Sequence, residues 1–183
     1  MKTLVLVFHP DMSASRVNRL LAARAETIGD DVTVRYMYDT YPDQKVDVAA
    51  EQAALEAADR VVLQFPMYWY STPALLKQWE DDVLLYGWAY GSTGNALAGK
   101  ELLVAVSTGG AGDAYSRESS YGYTITELLR PLQATANMVQ MAYLEPFTTT
   151  GTLTITDEAL AQRVEDYAAT LASKDLPVLE PHG

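Results

Sequence analysis

Cysteine is absent from the 183-residue sequence. Disulfide bonds, thiolate catalysis and metal or cluster sites built on cysteine are therefore excluded. Basic residues are scarce as well, with 13 Lys and Arg against 24 Asp and Glu and a formal net charge of −11. Because nucleic acids and anionic lipid surfaces are bound through clustered cations, this balance argues against either as a partner.

The sequence also has few histidines and no long apolar run. The two histidines, His9 and His182, have no obvious catalytic partner, which argues against a Ser/His/Asp triad. The sequence has no HExxH motif or similar ligand cluster, so we expect no metal site. It has no apolar span of about 18 residues, and the apolar run at its amino terminus is too short for a signal peptide. We therefore expect a cytoplasmic protein.

Segments with the pattern of a buried strand alternate along the chain with segments of helical periodicity. The predicted strands span 3–8, 32–37, 60–65, 101–107 and 142–148. The predicted helices span 17–28, 47–58, 73–84, 123–138 and 156–172. This alternation predicts parallel βαβ units and an open sheet with helices on both faces. With 49% hydrophobic residues, we expect 1–183 to form one α/β domain.

Three of the loops that follow predicted strands have an unusual composition. They are HPDMSASRVN at 9–18, FPMYWYSTP at 65–73 and STGGAGDAYS at 107–116. In an open parallel sheet the carboxyl ends of the strands share one edge, and ligands bind beyond that edge near the point where the strand order reverses. The three loops therefore predict a single binding site.

The first of these loops has the composition of an anion site. Ser13, Ser15 and Asn18 lie where a helix begins, and Arg16 adds a cation. Free amide groups and the positive end of the helix dipole bind anions at such a position, so a phosphate could be held there without a lysine. The alternative is that Ser13 or Ser15 only caps the helix.

The other two loops suit a flat ligand that the backbone approaches closely. Tyr68, Trp69 and Tyr70 are consecutive and cannot all point into one core, so a planar heterocycle is a natural partner. Gly109 and Gly110 allow close approach of the backbone, and Tyr115 follows within reach. The alternatives are a packed aromatic loop and an ordinary turn.

Two nucleotide-binding signatures are not met. The segment GNALAGKE at 94–101 matches G-x-x-x-x-G-K, but Glu101 replaces the Ser or Thr that binds magnesium, and the segment precedes a strand instead of following one. No G-x-G-x-x-G motif follows the first strand. We therefore expect neither a P-loop nor a dinucleotide fingerprint.

With these motifs in place, the chain resembles the flavodoxin-like NAD(P)H:quinone oxidoreductases. It is most similar to the short bacterial branch, which includes the ancillary oxidoreductases of glutathione-gated potassium efflux systems, the modulator-of-drug-activity enzymes and the general-stress quinone reductases. The resemblance rests on FHP (8–10), SRVN (15–18), YPD (41–43), AAEQAALEAAD (49–59), QFPMYWYSTPALLKQW (64–79), GWAYG (87–91), STGG (107–110) and LLRPLQATA (128–136).

The resemblance implies a flavodoxin-like three-layer sandwich with a five-stranded parallel sheet of order 2-1-3-4-5. It implies FMN as cofactor, or FAD as in some members, with NADPH or NADH as co-substrate. The implied flavin-binding residues lie in the three loops: His9, Ser15, Arg16, Val17, Asn18, Pro66, Met67, Tyr68, Trp69, Tyr70, Ser107, Thr108, Gly109, Gly110 and Tyr115.

The resemblance also implies a function. Tyr115 matches a tyrosine that assists hydride transfer in relatives, and Tyr121 stands where the longer animal enzymes have a histidine, so these two are the implied catalytic residues. The implied reaction is a ping-pong transfer of hydride from the nicotinamide through the flavin to a quinone, in a homodimer. Two alternatives remain open: a regulatory subunit of a potassium efflux transporter, and a flavodoxin-like electron carrier, although the T-x-T-G-x-T loop of flavodoxins is missing.

Overall fold

A parallel sheet forms the centre of the protein in the computed structural model, which describes residues 1–180. His182 lies outside the described residues. The strands are β1 (Thr3–Val7), β2 (Val32–Tyr36), β3 (Arg60–Pro66), β4 (Glu101–Ser107), β5 (Ala142–Tyr143) and β6 (Phe147–Thr149). The sheet order is β2-β1-β3-β4-β5, with β6 also paired to β4. The predicted α/β class and the order 2-1-3-4-5 are confirmed.

Seven α-helices connect and cover these strands within the described residues. They are α1 (Val17–Ala25), α2 (Met37–Thr40), α3 (Val48–Ala57), α4 (Ala74–Val83), α5 (Ile125–Leu128), α6 (Arg130–Met138) and α7 (Asp157–Ala172), and a 3₁₀ turn spans Gly112–Ala114. The side chains of Asp47 and Thr156 accept hydrogen bonds from Ala50 N at 3.0 Å and Ala159 N at 3.2 Å. They cap α3 and α7 where the sequence predicts helix starts.

The predicted fifth strand over 142–148 is wrong in one respect, because the structure divides it into β5 and β6. Leu144 N still donates to Leu102 O of β4 at 2.9 Å, but Glu145 N turns away and donates to Pro177 O at 2.9 Å. Pro146 has no N–H group to offer. The ladder is therefore interrupted there, and the sheet has six strands instead of five.

Two other predictions also differ from the structure. The predicted helix over 123–138 begins at Ile125 and is split at Leu129, because Pro131 in the first turn of α6 cannot continue the hydrogen bonding of a preceding helix. The predicted strand over 32–37 is one residue too long, because Met37 begins the short helix α2.

The core lies on both faces of the sheet, as the alternation along β1 requires. Leu4 and Leu6 belong to the apolar cluster that includes residues of α3, α4 and α6. Val5 and Val7 point the other way and belong to the cluster that includes residues of α1 and α7. No helix within residues 1–180 is long and apolar enough to cross a membrane.

Glu51 on α3 is a charged residue buried beneath this first face. Its carboxylate accepts hydrogen bonds from Tyr41 Oη at 2.6 Å and Trp79 Nε1 at 3.0 Å, and it pairs with Arg35 at 2.7 Å. The three partners come from three different places: Arg35 from β2, Tyr41 from the loop that follows α2, and Trp79 from α4. The pairing offsets the cost of burying the charge.

Replacing Glu51 with alanine should lower the free energy of unfolding by about 3–5 kcal/mol, because it leaves a partly buried arginine without its partner. The matched control is Lys77→Ala, which breaks an exposed ion pair with Asp81 and should cost about 0–1 kcal/mol. Urea unfolding of both variants measures the difference. Equal losses would contradict a stabilising role for the buried charge.

Candidate functional site

The three unusual loops meet because β1, β3 and β4 are neighbours in the sheet. The register pairs Val7 with Gln64 and Pro66 with Ser107, so the strands end side by side. Met67 N donates to Ser107 O at 2.8 Å, which ties the second loop to the third. The residues predicted to form one site are therefore brought to one edge of the sheet.

The loop after β1 is folded around Asp11. Its carboxylate accepts hydrogen bonds from Ser13 N at 2.9 Å, Ser13 Oγ at 2.6 Å and Ala14 N at 3.2 Å, and the hydrogen bond from the Ser13 side chain lowers the pKa of Asp11. His9 Nδ1 accepts from Asp11 N at 3.1 Å, and burial lowers the pKa of His9. The neutral imidazole therefore carries its proton on Nε2, where it can donate to a ligand.

The start of α1 presents backbone amides. Ser15 Oγ accepts from Asn18 N at 3.1 Å, so Ser15 does act as a helix cap. The N–H groups of Arg16 and Val17 make no hydrogen bond within residues 1–180, as is usual in the first turn of a helix. The Arg16 guanidinium points away from this turn, toward the Asp157 carboxylate and Ile155 O, the latter at 2.7 Å. An anion here would be held by amides and hydroxyls.

A chain of buried polar side chains lies beneath this helix start. Asn18 Nδ2 donates to Ser107 Oγ at 2.9 Å, and Gln64 Nε2 donates to Asn18 O at 2.9 Å. Tyr167 Oη on α7 donates to Gln64 Oε1 at 3.1 Å. Neither Gln64 nor Tyr167 is among the residues predicted for the site, although a glutamine within the apolar run VVLQF is a visible signal of a buried polar contact.

The aromatic loop after β3 is a tight and strained turn. Tyr68 and Ser71 exchange two backbone hydrogen bonds of 3.0 Å, and the two residues between them have positive φ angles, 47° at Trp69 and 62° at Tyr70. Such a turn normally carries Asn and Gly, because bulky side chains are disfavoured there. The turn leaves Trp69 92% exposed at the edge of the site. Strain of this kind is typical of functional positions.

Three tyrosines from the loops after β3 and β4 pack against one another beside this turn. The centroid of the Tyr121 ring lies 5.8 Å from that of the Tyr70 ring and 5.2 Å from that of the Tyr115 ring, and both pairs have edge-to-face geometry. A Cβ atom on Gly110 would lie 3.3 Å from the rings of Tyr115 and Tyr121, so a small residue fits this position best. The two predicted catalytic residues are therefore in contact with each other, and Tyr121 also contacts the aromatic turn through Tyr70.

The backbone of the third loop is partly engaged. Thr108 N donates to Thr149 O at 2.9 Å, and Thr108 Oγ1 donates to Gly110 O at 3.0 Å. The N–H groups of Gly109 and Gly110 make no hydrogen bond within the described part of the chain. The same holds for Trp69 and Tyr70, whereas the amides of Met67 and Tyr68 are used within the protein. Among the predicted flavin-binding residues of these two loops, some backbone N–H groups are thus free to bind a ligand and others are already hydrogen-bonded within the protein.

The sheet order and the position of this site are those of the flavodoxin-like class. The family model described as flavodoxin-like fold matches residues 1–171, and the chain belongs to that family. The glutathione-regulated potassium-efflux system ancillary protein KefF of Klebsiella pneumoniae is 44% identical over 168 residues, 92% of this chain and 93% of that protein.

Two solved structures are also similar. General stress protein 14 from Treponema denticola, in complex with FMN, has a TM-score of 0.88 and 40% identity over 93% of this chain and 98% of its own. An NADPH-quinone reductase from P. pentosaceus has a TM-score of 0.85 and 36% identity over 96% of this chain and 99% of its own.

Replacing Trp69 with asparagine should raise the free energy of unfolding of the cofactor-free protein by about 0.5–1 kcal/mol, because asparagine tolerates a positive φ and little packing is lost. Tyr123→Asn is the control, since Tyr123 is exposed but has no positive φ. Thermal unfolding compares the two. A destabilised Trp69→Asn variant would show that the turn is not strained.

Proposed function

We propose that this protein is a flavin-dependent NAD(P)H:quinone oxidoreductase that binds FMN at the carboxyl edge of the sheet. The observation that carries the proposal is the exposed Trp69 in a strained turn, facing solvent beside free backbone donors. An FMN complex of a protein 40% identical to this chain supports the choice of cofactor. The NADPH-quinone reductase at 36% identity supports the reaction.

The residues present fit FMN. The free amides of Arg16 and Val17 and the Nε2 proton of His9 suit a phosphate and a hydroxylated chain. The exposed ring of Trp69 suits a flat heterocycle. Thr149 Oγ1 is buried beside the end of β4 without a hydrogen-bond partner within residues 1–180, which leaves one more polar group for a ligand. FAD would use the same groups for the part that it shares with FMN.

When bound, FMN would supply two-electron hydride chemistry in a ping-pong cycle, in which NADPH or NADH loses a hydride and a quinone gains that hydride and one proton from solvent to become a hydroquinone. The amides of Gly109, Gly110, Trp69 and Tyr70 would donate to polar edges of the cofactor, and they would stabilise negative charge without rearrangement. Tyr115 and Tyr121 would stack on the substrate or donate from their hydroxyls. The two rings pack edge to face, with their centroids 5.2 Å apart, and this packing holds both in place.

The purified protein should show a flavin visible spectrum, as isolated or after addition of FMN. NADPH should bleach that spectrum, and a quinone such as menadione should restore it with steady consumption of NADPH. Failure to bind FMN or FAD would contradict the proposal. A flavin spectrum that NADPH does not bleach, with no steady consumption of NADPH, would favour the flavodoxin-like electron carrier.

Replacing Trp69 with alanine should weaken FMN binding about three- to tenfold, because ring contacts of this kind contribute about 0.5–1.5 kcal/mol beyond buried area. Tyr123→Ala provides the control, since it removes an exposed aromatic outside the turn. Quenching of flavin fluorescence measures both affinities. Equal affinities in the two variants would count against a ring site at Trp69.

We also propose that the active form is a homodimer. A groove of about 540 Å³ runs between α4 and α6 and begins at Ser71 and Thr72, directly behind the aromatic turn. Met138 is 62% exposed in its wall. Glu80 lies in the same groove, and burial raises its pKa to about 7. A second copy seated here would complete the outer side of the site.

Met138→Glu should shift the protein toward a monomer, because it places a charge in the apolar wall of this contact. Leu153→Glu is the control, an equally drastic change at an exposed leucine outside the groove. Sedimentation velocity measures the mass of each variant. A monomeric parent protein, or a dimer that survives Met138→Glu, would contradict this interface.

The similarity to an ancillary protein of potassium efflux, at 44% identity over 92% of this chain, favours a second role. In that role the protein would sit at the cytoplasmic face of the membrane through a transporter. The two roles are compatible, and co-purification with a potassium-efflux transporter distinguishes the second. The quinone reaction would then continue with or without the transporter.

A further inference from the structure

The buried polar chain from Tyr167 to Ser107 crosses the layer between α7 and the site. Tyr167 and Gln64 are fully buried, and Asn18 and Ser107 are nearly so. The chain has three hydrogen bonds, of 3.1, 2.9 and 2.9 Å. Four elements contribute to it: α7, β3, α1 and β4.

The direction of these hydrogen bonds is fixed by one backbone group. The carbonyl of Asn18 can only accept, so the Gln64 atom beside it must be the donor Nε2. Gln64 Oε1 then faces Tyr167, whose hydroxyl must donate. Burial raises the pKa of Tyr167, so this hydroxyl keeps its proton.

The same reasoning orients Asn18. Its Oδ1 atom lies 3.5 Å from the donor Gln64 Nε2, which leaves Nδ2 to face Ser107 Oγ. Ser107 Oγ therefore accepts, and its own proton must point elsewhere. That proton meets no acceptor within residues 1–180. Ser107 ends β4 at the edge where the three loops meet.

We infer that Tyr167 and Gln64 are positioning residues that hold Asn18 so that the hydroxyl proton of Ser107 is directed at an acceptor atom of the bound flavin. The inference rests on the proposed function. Gln64 Nε2 binds the backbone carbonyl of Asn18 and lies 3.5 Å from its Oδ1, so the Asn18 amide is held with Nδ2 toward Ser107. The tyrosine on α7, remote from the loops, thus takes part in cofactor binding without touching the cofactor.

The test is a double-mutant cycle on FMN affinity with Tyr167→Phe and Ser107→Ala. Tyr167→Phe should weaken FMN binding about three- to tenfold in the parent protein, the range of one hydrogen bond. In the Ser107→Ala background the same change should weaken binding less than about twofold, because the end of the chain is already missing. A merely structural role of Tyr167 would give the same fold-change in both backgrounds.

Tyr143→Phe is the matched control, since Tyr143 is also buried but its hydroxyl makes no hydrogen bond within the described residues. It should change FMN affinity less than about twofold in either background. If Tyr167→Phe does not fold, Gln64→Met, one step nearer Ser107, takes its place in the cycle and should give the same non-additive loss.

The outcomes separate the two claims. Equal losses in both backgrounds, or no loss from Tyr167→Phe, would overturn the positioning role while the proposed function stands. A parent protein that binds neither FMN nor FAD would overturn the proposed function itself. A loss confined to the background that retains Ser107 supports the inference.

Discussion

The hydrogen-bonded register of β1, β3 and β4 is the constraint on which the site depends. It ends three adjacent strands at one edge, so that loops separated by about a hundred residues in sequence share contacts there. The loop after β1 supplies open amides, the loop after β3 supplies an exposed ring, and the loop after β4 supplies tyrosines and glycines. Displacing any one strand would separate these groups.

The site is prepared at a cost to local stability. Trp69 and Tyr70 have backbone angles that bulky residues avoid, and the rest of the turn is held by hydrogen bonds to neighbouring backbone. Beneath the site, two buried polar side chains have partners: Glu51 is paired on one face of the sheet and Gln64 is hydrogen-bonded on the other. Rigid support below and exposed rings above are what a binding site for a flat cofactor requires.

Much of this arrangement was predictable from sequence, because buried parallel strands and helix caps have local signals. The strand at 101–107 is correct to the residue, and the helix predicted from residue 47 does begin there, with Asp47 as its cap. The interruption of the strand at Pro146 was harder to predict from the sequence, because the residues on both sides of it have the pattern of a strand. The direction of the Arg16 side chain depends on Asp157, which is distant in sequence, and no local pattern reports such a contact.

Hydrogen exchange of the protein with and without FMN can decide whether a flavin is held by the three loops at this edge. We expect slower exchange on FMN binding at the amides that are free in the structure: Arg16, Val17, Trp69, Tyr70, Gly109 and Gly110. Protection confined to other parts of the chain, with these amides unchanged, would contradict it.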